Sequence, residues 1–255
     1  MRKGLIYAIP DPQVKPGIRL DYLRAIGLHI MDKRPETVVC LGDFADMPSL
    51  SSYDKGKKSF EGRRYRKDIE AAHRGMEVLL GPLRAANLEG AEYRPRLVML
   101  MGNHEARIDR ATEEAPELEG TISTDDLRYV HYGWEVYPFL TPVNIGGVLF
   151  CHYLTSGVMG RPITTAQALL TKRHMSCVVG HQQGLMLASA VRGDGRQLQA
   201  VIAGSSYLHD EPYLGPQGNA GHWRGVVLLH DVKDGEFVVN PVSTQHLIRK
   251  YREDL

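Results

Sequence analysis

Short apolar strands and amphipathic helices alternate through the first hundred residues, and this alternation constrains the fold more than any other feature of the chain. The segments GLIYAI, TVVCL and RLVMLM are brief apolar runs, which predicts buried strands. Between them, residues 18–34 and 66–86 place apolar side chains at helical spacing. Strand, helix and strand in succession predict a largely parallel sheet covered by helices.

The second half of the chain has a different pattern. Further strands are predicted at GGVLFCHY, SCVVGH, LQAVIAG, GVVLLHDV and EFVVNPV. In about the last sixty residues the connections VRGDGRQ and VKDGE contain Asp-Gly, which is typical of tight hairpin turns, so mostly antiparallel pairing is expected in that part of the chain. Together the halves predict a mixed α/β sandwich, and 255 residues fit one domain over residues 1–255.

Composition excludes several classes of protein. Hydrophobic residues make up 43% and charged residues 24%, so neither a disordered chain nor a fibre is expected. A net charge of +1 neither demands nor excludes a nucleic-acid partner, because charge can be local. The apolar runs are of strand length, and MRKGLIYAIPDP lacks the features of a signal peptide, which predicts a cytoplasmic protein without a membrane partner. Cys40, Cys151 and Cys177 are predicted to be buried, reduced thiols.

Five predicted strands end on residues that can bind a metal ion. These residues are Asp11 and Gln13 in IPDPQ, Asp43 in LGD, Asn103 and His104 in MGNH, His152 in FCHY, and His181 with Gln183 in VGHQQ. Singly, Asp43 suits a helix cap, His152 a core histidine and Asn103 a turn. Because the carboxyl ends of parallel strands converge on one crevice, the whole set is better explained as a metal site. Mixed carboxylate, amide and imidazole ligands suit Mn²⁺, Fe²⁺ or Zn²⁺.

The order of these motifs, D-x-[HQ], G-D-x-x-D, G-N-H-E, a lone histidine after a strand and G-H-x-[HQ], resembles the calcineurin-like metallophosphoesterase superfamily from Asp11 to Gln183. Glutamine in the first motif is similar to phosphoesterases encoded by tailed bacteriophages. The resemblance implies a four-layer α/β sandwich of two mixed sheets flanked by helices. It also implies hydrolysis of phosphate esters by a metal-activated hydroxide at a dinuclear site, in the host-cell cytoplasm if the chain is phage-encoded.

The resemblance assigns a role to each matching residue. Asp43 would bridge the two metals, His104 would protonate the leaving oxygen, and Asp46 would orient His104. The ligands would be Asn103, His152 and His181 on one metal, and Asp11, Gln13 and Gln183 on the other.

The two glutamines depart from the usual pattern of the superfamily. Most members have histidine at the positions of Gln13 and Gln183, and both positions serve the same metal. An amide oxygen weakens the affinity for Zn²⁺ or Fe²⁺ more than for Mn²⁺ or Mg²⁺. We therefore predict one tight site and one weak, oxygen-rich site, with Mn²⁺ preferred and Mg²⁺, Fe²⁺ or Zn²⁺ as alternatives. A single-metal enzyme or an inactive site would also fit the substitution.

The surroundings of the motifs bear on the substrate. Met47 stands where Ser/Thr protein phosphatases have an arginine, which argues against a protein phosphatase. Arg107 could bind phosphate or lie on a helix surface. The stretch from Lys55 to Arg74, which includes Arg63 and Arg64, carries eight Lys or Arg against three acids, with aromatic residues interleaved. This pattern suits single-stranded nucleic acid, although a charge run can also be a solvated face.

A late loop rich in glycine and proline contains His209, Tyr213, His222 and Trp223. These side chains could line a substrate pocket or simply pack the loop. The sequence therefore favours a metal-dependent phosphodiesterase that acts on DNA, RNA or nucleotides. The alternatives are a phosphomonoesterase of phosphoproteins or small metabolites, and a non-catalytic binding module stabilised by metal.

Overall fold

Two β-sheets lie at the centre of the fold, with helices on their outer faces. The computed structural model describes residues 1–211 and 214–255. The α-helices are α1 (Asp21–Lys33), α2 (Tyr65–Leu88), α3 (Ala106–Glu114), α4 (Ala166–Arg173), α5 (Gly215–Ala220) and α6 (Thr244–Lys250). The strands are β1 (Arg2–Ile9), β2 (Pro35–Cys40), β3 (Arg96–Leu100), β4 (Glu135–Tyr137), β5 (Val143–Ile145), β6 (Val148–Cys151), β7 (Thr155–Ser156), β8 (Arg161–Pro162), β9 (Cys177–Val179), β10 (Leu185–Val191), β11 (Gln197–Ala203), β12 (Gly225–Lys233) and β13 (Glu236–Ser243).

The first sheet has six strands in the order β13-β12-β1-β2-β3-β4. Strands β1 to β4 pair in parallel, as the alternation of strands and helices predicts. Strand β12 pairs antiparallel with β1 and with β13. The VKDGE segment is the turn between β12 and β13, so its prediction as a hairpin is confirmed.

The second sheet has five strands in the order β10-β11-β9-β6-β5. Strand β9 pairs in parallel with both β6 and β11, and β10 forms an antiparallel hairpin with β11 around VRGDGRQ. Strands β4, β5 and β10 were not predicted. The first two have only three residues each, and β10 is rich in small residues of weak strand propensity.

Three clusters of buried hydrophobic residues fill the space between the layers of the fold. One joins α1 and α2 to the six-stranded sheet, and includes Leu23, Met76 and Tyr7. The second lies between the sheets, and the third joins the five-stranded sheet to α4. Alternate residues of β1 enter the first two clusters, so both faces of this strand are buried. The order helix, sheet, sheet, helix confirms the predicted four-layer α/β sandwich.

The predictions for two helices and for the three cysteines also agree with the structure. The predicted helices over 18–34 and 66–86 correspond to α1 and α2. Cys40, Cys151 and Cys177 are free and buried, as predicted. Among the described residues, the helices are all too short or too polar to cross a membrane.

Candidate metal centre

The carboxyl ends of five strands meet at one edge of the two sheets. Strands β1, β2 and β3 arrive side by side in the six-stranded sheet, and β6 and β9 arrive as neighbours in the other. Each strand is followed within four residues by one or two of the predicted ligands. Asp43, His152 and His181 offer ligand atoms that all lie within 4.8 Å of one another. The fold thus brings together side chains that are up to 138 residues apart, from 43 to 181.

Glycines next to these ligands let the chain segments approach closely. A Cβ on Gly102 would lie 2.1 Å from Oδ1 of Asp43, and a Cβ on Gly180 would lie 2.4 Å from Oδ1 of Asp11. No side chain fits at either position, because these distances are far below van der Waals contact. The strands therefore end on glycine because the carboxylates occupy the space of a side chain.

Left-handed backbone marks the same edge. Positive φ angles occur at five of the seven predicted ligands: Asp11 (38°), Gln13 (44°), Asp43 (49°), His181 (68°) and Gln183 (59°). Each such residue costs on the order of 1–3 kcal/mol and persists only where its surroundings hold it in place. The backbone N–H of Gln13 donates to the carbonyl of Asp43 at 2.8 Å, which ties two of these turns together. Strained backbone at polar strand ends is typical of a functional site.

The contacts of His152 show whether a cation fits between its side chain and its neighbours. Its Nδ1–H donates to the carbonyl of Leu41 at 2.8 Å, which leaves a lone pair on Nε2. This Nε2 faces Oδ1 of Asn103 at 2.9 Å and Oδ2 of Asp43 at 3.4 Å. Burial lowers the pKa of His152, so the imidazole is neutral and three lone-pair atoms converge without a proton between them. A divalent cation fits this arrangement, and a backbone carbonyl commonly orients a metal-binding histidine in this way.

His181 completes this side of the site. Burial, followed by the nearby His152, lowers the pKa of His181 to about 4, so its ring is also neutral at physiological pH. The ring lies 4.6 Å from that of Tyr153, centroid to centroid. A neutral imidazole is the form that binds a metal ion.

Asp43 is held in place by a buried glutamate. Glu105 accepts hydrogen bonds from the backbone N–H groups of Asp43, Ala45 and Gly102 at 3.0, 2.9 and 2.8 Å. The hydroxyl of Tyr129 donates to the same carboxylate at 3.2 Å. Glu105 therefore fixes the two turns that carry Asp43 and Asn103, a role that we did not predict from its place in G-N-H-E.

Asp11, Gln13 and Gln183 form the other side of the site. The Asp11 carboxylate accepts from the backbone N–H of His181 at 3.1 Å and from Nε2 of Gln183 at 2.5 Å. The side-chain oxygen Oε1 of Gln183 is buried and has no hydrogen-bond partner among the described residues. An orphaned amide oxygen beside a carboxylate is a suitable donor pair for a hard divalent ion.

The predicted pair of His104 and Asp46 is present. Nδ1 of His104 donates to Oδ1 of Asp46 at 2.8 Å, and Nε2 lies 3.6 Å from Oδ2 of Asp43. Burial acts to lower the pKa of His104, but the charge of Asp43 and the hydrogen bond to Asp46 raise it overall. The imidazole thus lies beside the candidate metal ligands, with its orientation fixed by a carboxylate.

Arg107 contacts this pair directly. One guanidinium nitrogen donates to the carbonyl of Asp46 at 2.6 Å, and another donates to Nε2 of His104 at 3.1 Å. Arg107 is neither a free helix-surface residue nor an unengaged phosphate ligand in this structure. Its hydrogen bonds brace the His104–Asp46 pair.

A chain of polar contacts connects Asp46 to the late loop. Lys15 forms ion pairs with Oδ2 of Asp46 at 3.4 Å and with Glu211. Glu211 in turn accepts from Nε2 of His209 at 2.9 Å, and His209 stacks on Tyr207 with ring centroids 4.4 Å apart. We did not predict Lys15 or Glu211, and the spacing of Lys15 after Asp11 was the only sequence indication of its position.

The other predicted residues of the late loop have packing contacts. His222 hydrogen-bonds through Nδ1 to the hydroxyl of Tyr207 at 3.1 Å. Trp223 lies against Gly204 and Gly225. Tyr213 lies outside the described residues. The loop therefore reaches Asp46 through Glu211 and Lys15, rather than through His222.

The basic stretch contains both engaged and exposed cations. Arg63 donates to the Asp54 carboxylate at 2.8 Å and to the carbonyl of Pro48 at 3.0 Å, so it braces its own loop instead of presenting a free guanidinium. Arg64 is exposed, and Tyr53 is 82% exposed. The stretch begins at Lys55, nine residues after Asp46, in the loop that leaves from the metal end of the sheets.

Comparisons with known proteins give distant similarities. No family model matches the chain. The Gene 54 protein of Mycobacterium phage L5 is 29% identical over 189 residues, which cover 71% of this chain and 70% of the phage protein. A dimetal phosphatase from Danio rerio aligns over 96% of this chain and 97% of its own, at 11% identity and a TM-score of 0.46. The protein TT1561 of Thermus thermophilus aligns over 93% and 98%, at 11% identity and a TM-score of 0.43. Structural similarities as distant as these two carry no argument about function.

Proposed function

We propose that this protein is a metal-dependent phosphoesterase whose substrate is a phosphodiester in a nucleic acid or a nucleotide, and that residues 1–255 form one domain. The observation that carries the proposal is the cluster at the strand ends. Asp43, His152 and His181 offer ligand atoms within 4.8 Å, beside a His104–Asp46 pair joined at 2.8 Å. A cation site next to an oriented imidazole suits the hydrolysis of a phosphate ester.

The residues around the cluster would hold two divalent ions. Asp43 would be a ligand of both ions. The other ligands would be Asn103, His152 and His181 for one ion, and Asp11, Gln13 and Gln183 for the second. When bound, such ions neutralise charge on the phosphate oxygens and lower the pKa of water. We propose Mn²⁺ for the oxygen-rich second position, because amide and carboxylate oxygens favour it over Zn²⁺.

The His104–Asp46 pair would protonate the leaving group. Asp46 holds Nδ1 of His104, so Nε2 is the atom that would carry a proton to the leaving oxygen. The neighbouring carboxylates raise the pKa of His104, which favours the protonated imidazolium. Arg107 now donates to Nε2, and that contact would give way when Nε2 acts as a donor. Its guanidinium would then be available to a phosphate oxygen.

Basic and aromatic residues in the segment that follows Asp46 in the chain support a nucleic-acid substrate. The stretch from Lys55 to Arg74 holds more cations than acids and begins in the loop that leaves the metal end. Arg64 and Tyr53 are exposed there, and such residues can contact phosphates and stack on bases. The similarity to a mycobacteriophage protein supports the further proposal that this is a phage-type phosphoesterase.

The first test compares a chromogenic phosphodiester with the matching monoester in the presence of Mn²⁺. We expect the diester to be preferred, and the His104→Ala protein to lose about 100-fold or more in kcat. Metal content should stay unchanged in that variant. His131→Ala, which removes an exposed histidine, is the matched control and should retain full activity.

The outcomes separate the alternatives. A preference for the monoester would show that the protein is a phosphomonoesterase and not a phosphodiesterase. Full activity in the His104→Ala protein would exclude the role given to that residue. An absence of Mn²⁺-dependent turnover on both substrates, together with tight metal binding, would support a binding module.

A further inference from the structure

The exposed edge of the five-stranded sheet has the properties of an interface. Strand β10 forms this edge, and its sequence LMLASAV contains neither a charged residue nor a proline. It pairs with β11 in unbroken register from Leu185 to Val191, without a bulge. Met186, Leu187 and Val191 are 38%, 50% and 68% exposed. A long, flat and apolar edge strand is a template for pairing with another strand.

The other edges of the two large sheets carry protective features that β10 lacks. Strands β4 and β5 have only three residues each, and Glu135 in β4 pairs with Arg96. Strand β13 contains Glu236 and Pro241. Short length, charge and proline are the usual means of blocking the addition of a strand. The absence of all three from β10 sets this edge apart.

We propose that two copies of this chain associate through β10, which pairs antiparallel with its own copy about a two-fold axis at Ala188. A two-fold interface requires a surface that is complementary to itself. The β10 sequence LMLASAV meets this requirement when two copies pair antiparallel about Ala188. Leu185 would lie opposite Val191 of the partner subunit, and Leu187 would lie opposite Ser189 of the partner subunit. Apolar residues thus meet apolar or small residues, and no charge is buried.

The side-chain directions support a second copy as the occupant. Leu187 and Val191 lie on the same face of β10 as Leu185, which packs between the two sheets. Unlike Leu185, both side chains are exposed, so they lie beyond the part of the five-stranded sheet that the six-stranded sheet covers. Pairing of two β10 strands would place Leu187 and Val191 of each copy against the other copy and so bury them. An uncharged strand offers no ionic feature that would select a different protein instead.

The pairing also reaches the candidate metal centre. A register centred on Ala188 places Arg192 of the partner subunit opposite Gly184, which directly follows Gln183. In the single chain this guanidinium forms an ion pair with Asp194 at 2.8 Å, and in the dimer it would lie beside the loop that carries Gln183. This consequence rests on the proposed phosphoesterase function, whereas the dimer itself does not.

Sedimentation equilibrium tests the association. At about 100 µM protein, we expect a mass of twice 28.5 kDa for the unchanged protein and a monomer for Leu187→Lys. Val238→Lys is the matched control, since Val238 is a 62% exposed valine on the edge strand β13, and it should remain a dimer. A far-ultraviolet circular dichroism spectrum like that of the unchanged protein, with a cooperative melting transition, would show that Leu187→Lys is folded, whereas its melting temperature should fall because the dimer is lost. A monomeric unchanged protein, or a dimeric Leu187→Lys protein, would overturn the proposal.

A crosslink tests the axis. Residues directly opposite each other in an antiparallel pair have Cα atoms about 4.5–5.5 Å apart, which a disulfide can span. Ala188→Cys should therefore form a disulfide-linked dimer on mild oxidation, because Ala188 would face itself. Val238→Cys should not, and the three native cysteines are buried. A dimer without the Ala188→Cys crosslink would overturn this axis.

A kinetic measurement then tests the shared site. We expect Arg192→Ala to raise KM for the diester several-fold while the mass stays that of a dimer. An unchanged KM would exclude Arg192 of the partner subunit from the site. Failure of the phosphoesterase proposal would appear as inactivity of the unchanged protein, and would leave the mass and crosslink results standing.

Discussion

The two sides of the candidate metal centre are built differently. On what we call the Asp43 side (Asp43, Asn103, His152 and His181), lone-pair atoms face one another without a proton between them. On the Asp11 side (Asp11, Gln13 and Gln183), the carboxylate accepts a hydrogen bond from the side-chain amide of Gln183. Each carboxylate also accepts one backbone N–H, from His181 for Asp11 and from His104 for Asp43, so the amide is the difference. A cation would relieve repulsion on the first side, but it would have to displace a hydrogen bond on the second.

The two carboxylates show the same contrast. Burial acts to raise the pKa of Asp43, but the charge of His104 and the hydrogen bond from the His104 backbone N–H lower it overall. Burial and the negative charge of Asp43 raise the pKa of Asp11. Asp43 is therefore the better anion of a coupled pair of acids. The comparison indicates that the Asp43 side is arranged to receive a cation, and that a second metal, as we propose it, would bind to a side that must rearrange.

Loss of Asp43 should have the largest effect, because we propose that this residue binds both metals. We expect Asp43→Asn to reduce activity on the order of 1000-fold or more and to release both metals. Activity and metal content by elemental analysis would check this. Asp21→Asn, in the first turn of α1, is the control and should change neither. If one metal remained bound with full affinity, Asp43 would belong to one side only.

The sequence predicts which polar residues meet at this edge of the sheets but not how they are held. The polar residues after apolar strands identify the edge, since parallel strands must end together. The role of Glu105 depends on three backbone N–H groups from two turns, and no local pattern shows that they converge. Lys15 and Glu211 meet although they are 196 residues apart. Such contacts follow from the assembly of the two sheets, so they become visible only in three dimensions.

Removal of Glu105 should destabilise the Asp43 side selectively. Glu105→Ala would leave three backbone N–H groups and the Tyr129 hydroxyl without their buried acceptor. We expect the free energy of unfolding to fall by about 3 kcal/mol in the metal-free protein, as measured by urea denaturation. Glu70→Ala on the exposed face of α2 should cost little. Equal losses in the two variants would contradict the bracing role.

Restoration of an imidazole should strengthen the Asp11 side. Gln183→His replaces an amide that now donates to Asp11 with a nitrogen ligand, so the affinity for a second Zn²⁺ should rise about tenfold. Calorimetric titration would measure this affinity together with the stoichiometry. Gln182→His places the same side chain one residue away and should leave the second affinity unchanged. If both variants bound Zn²⁺ like the unchanged protein, the weakness of this side would have another cause than the glutamine.

The smallest effect should come from the hydroxyl of Tyr129. Tyr129→Phe removes one donor from Glu105, at 3.2 Å, but leaves the three backbone donors in place. We expect a loss of about 1 kcal/mol in unfolding free energy, with Tyr53→Phe, which alters a mostly exposed ring, as the control. Because Glu105 accepts from the backbone of the Asp43 turn, any change in metal affinity should fall on the Asp43 side. An equal change on the Asp11 side would show that the two sides are mechanically coupled, and that Asp43 transmits the coupling.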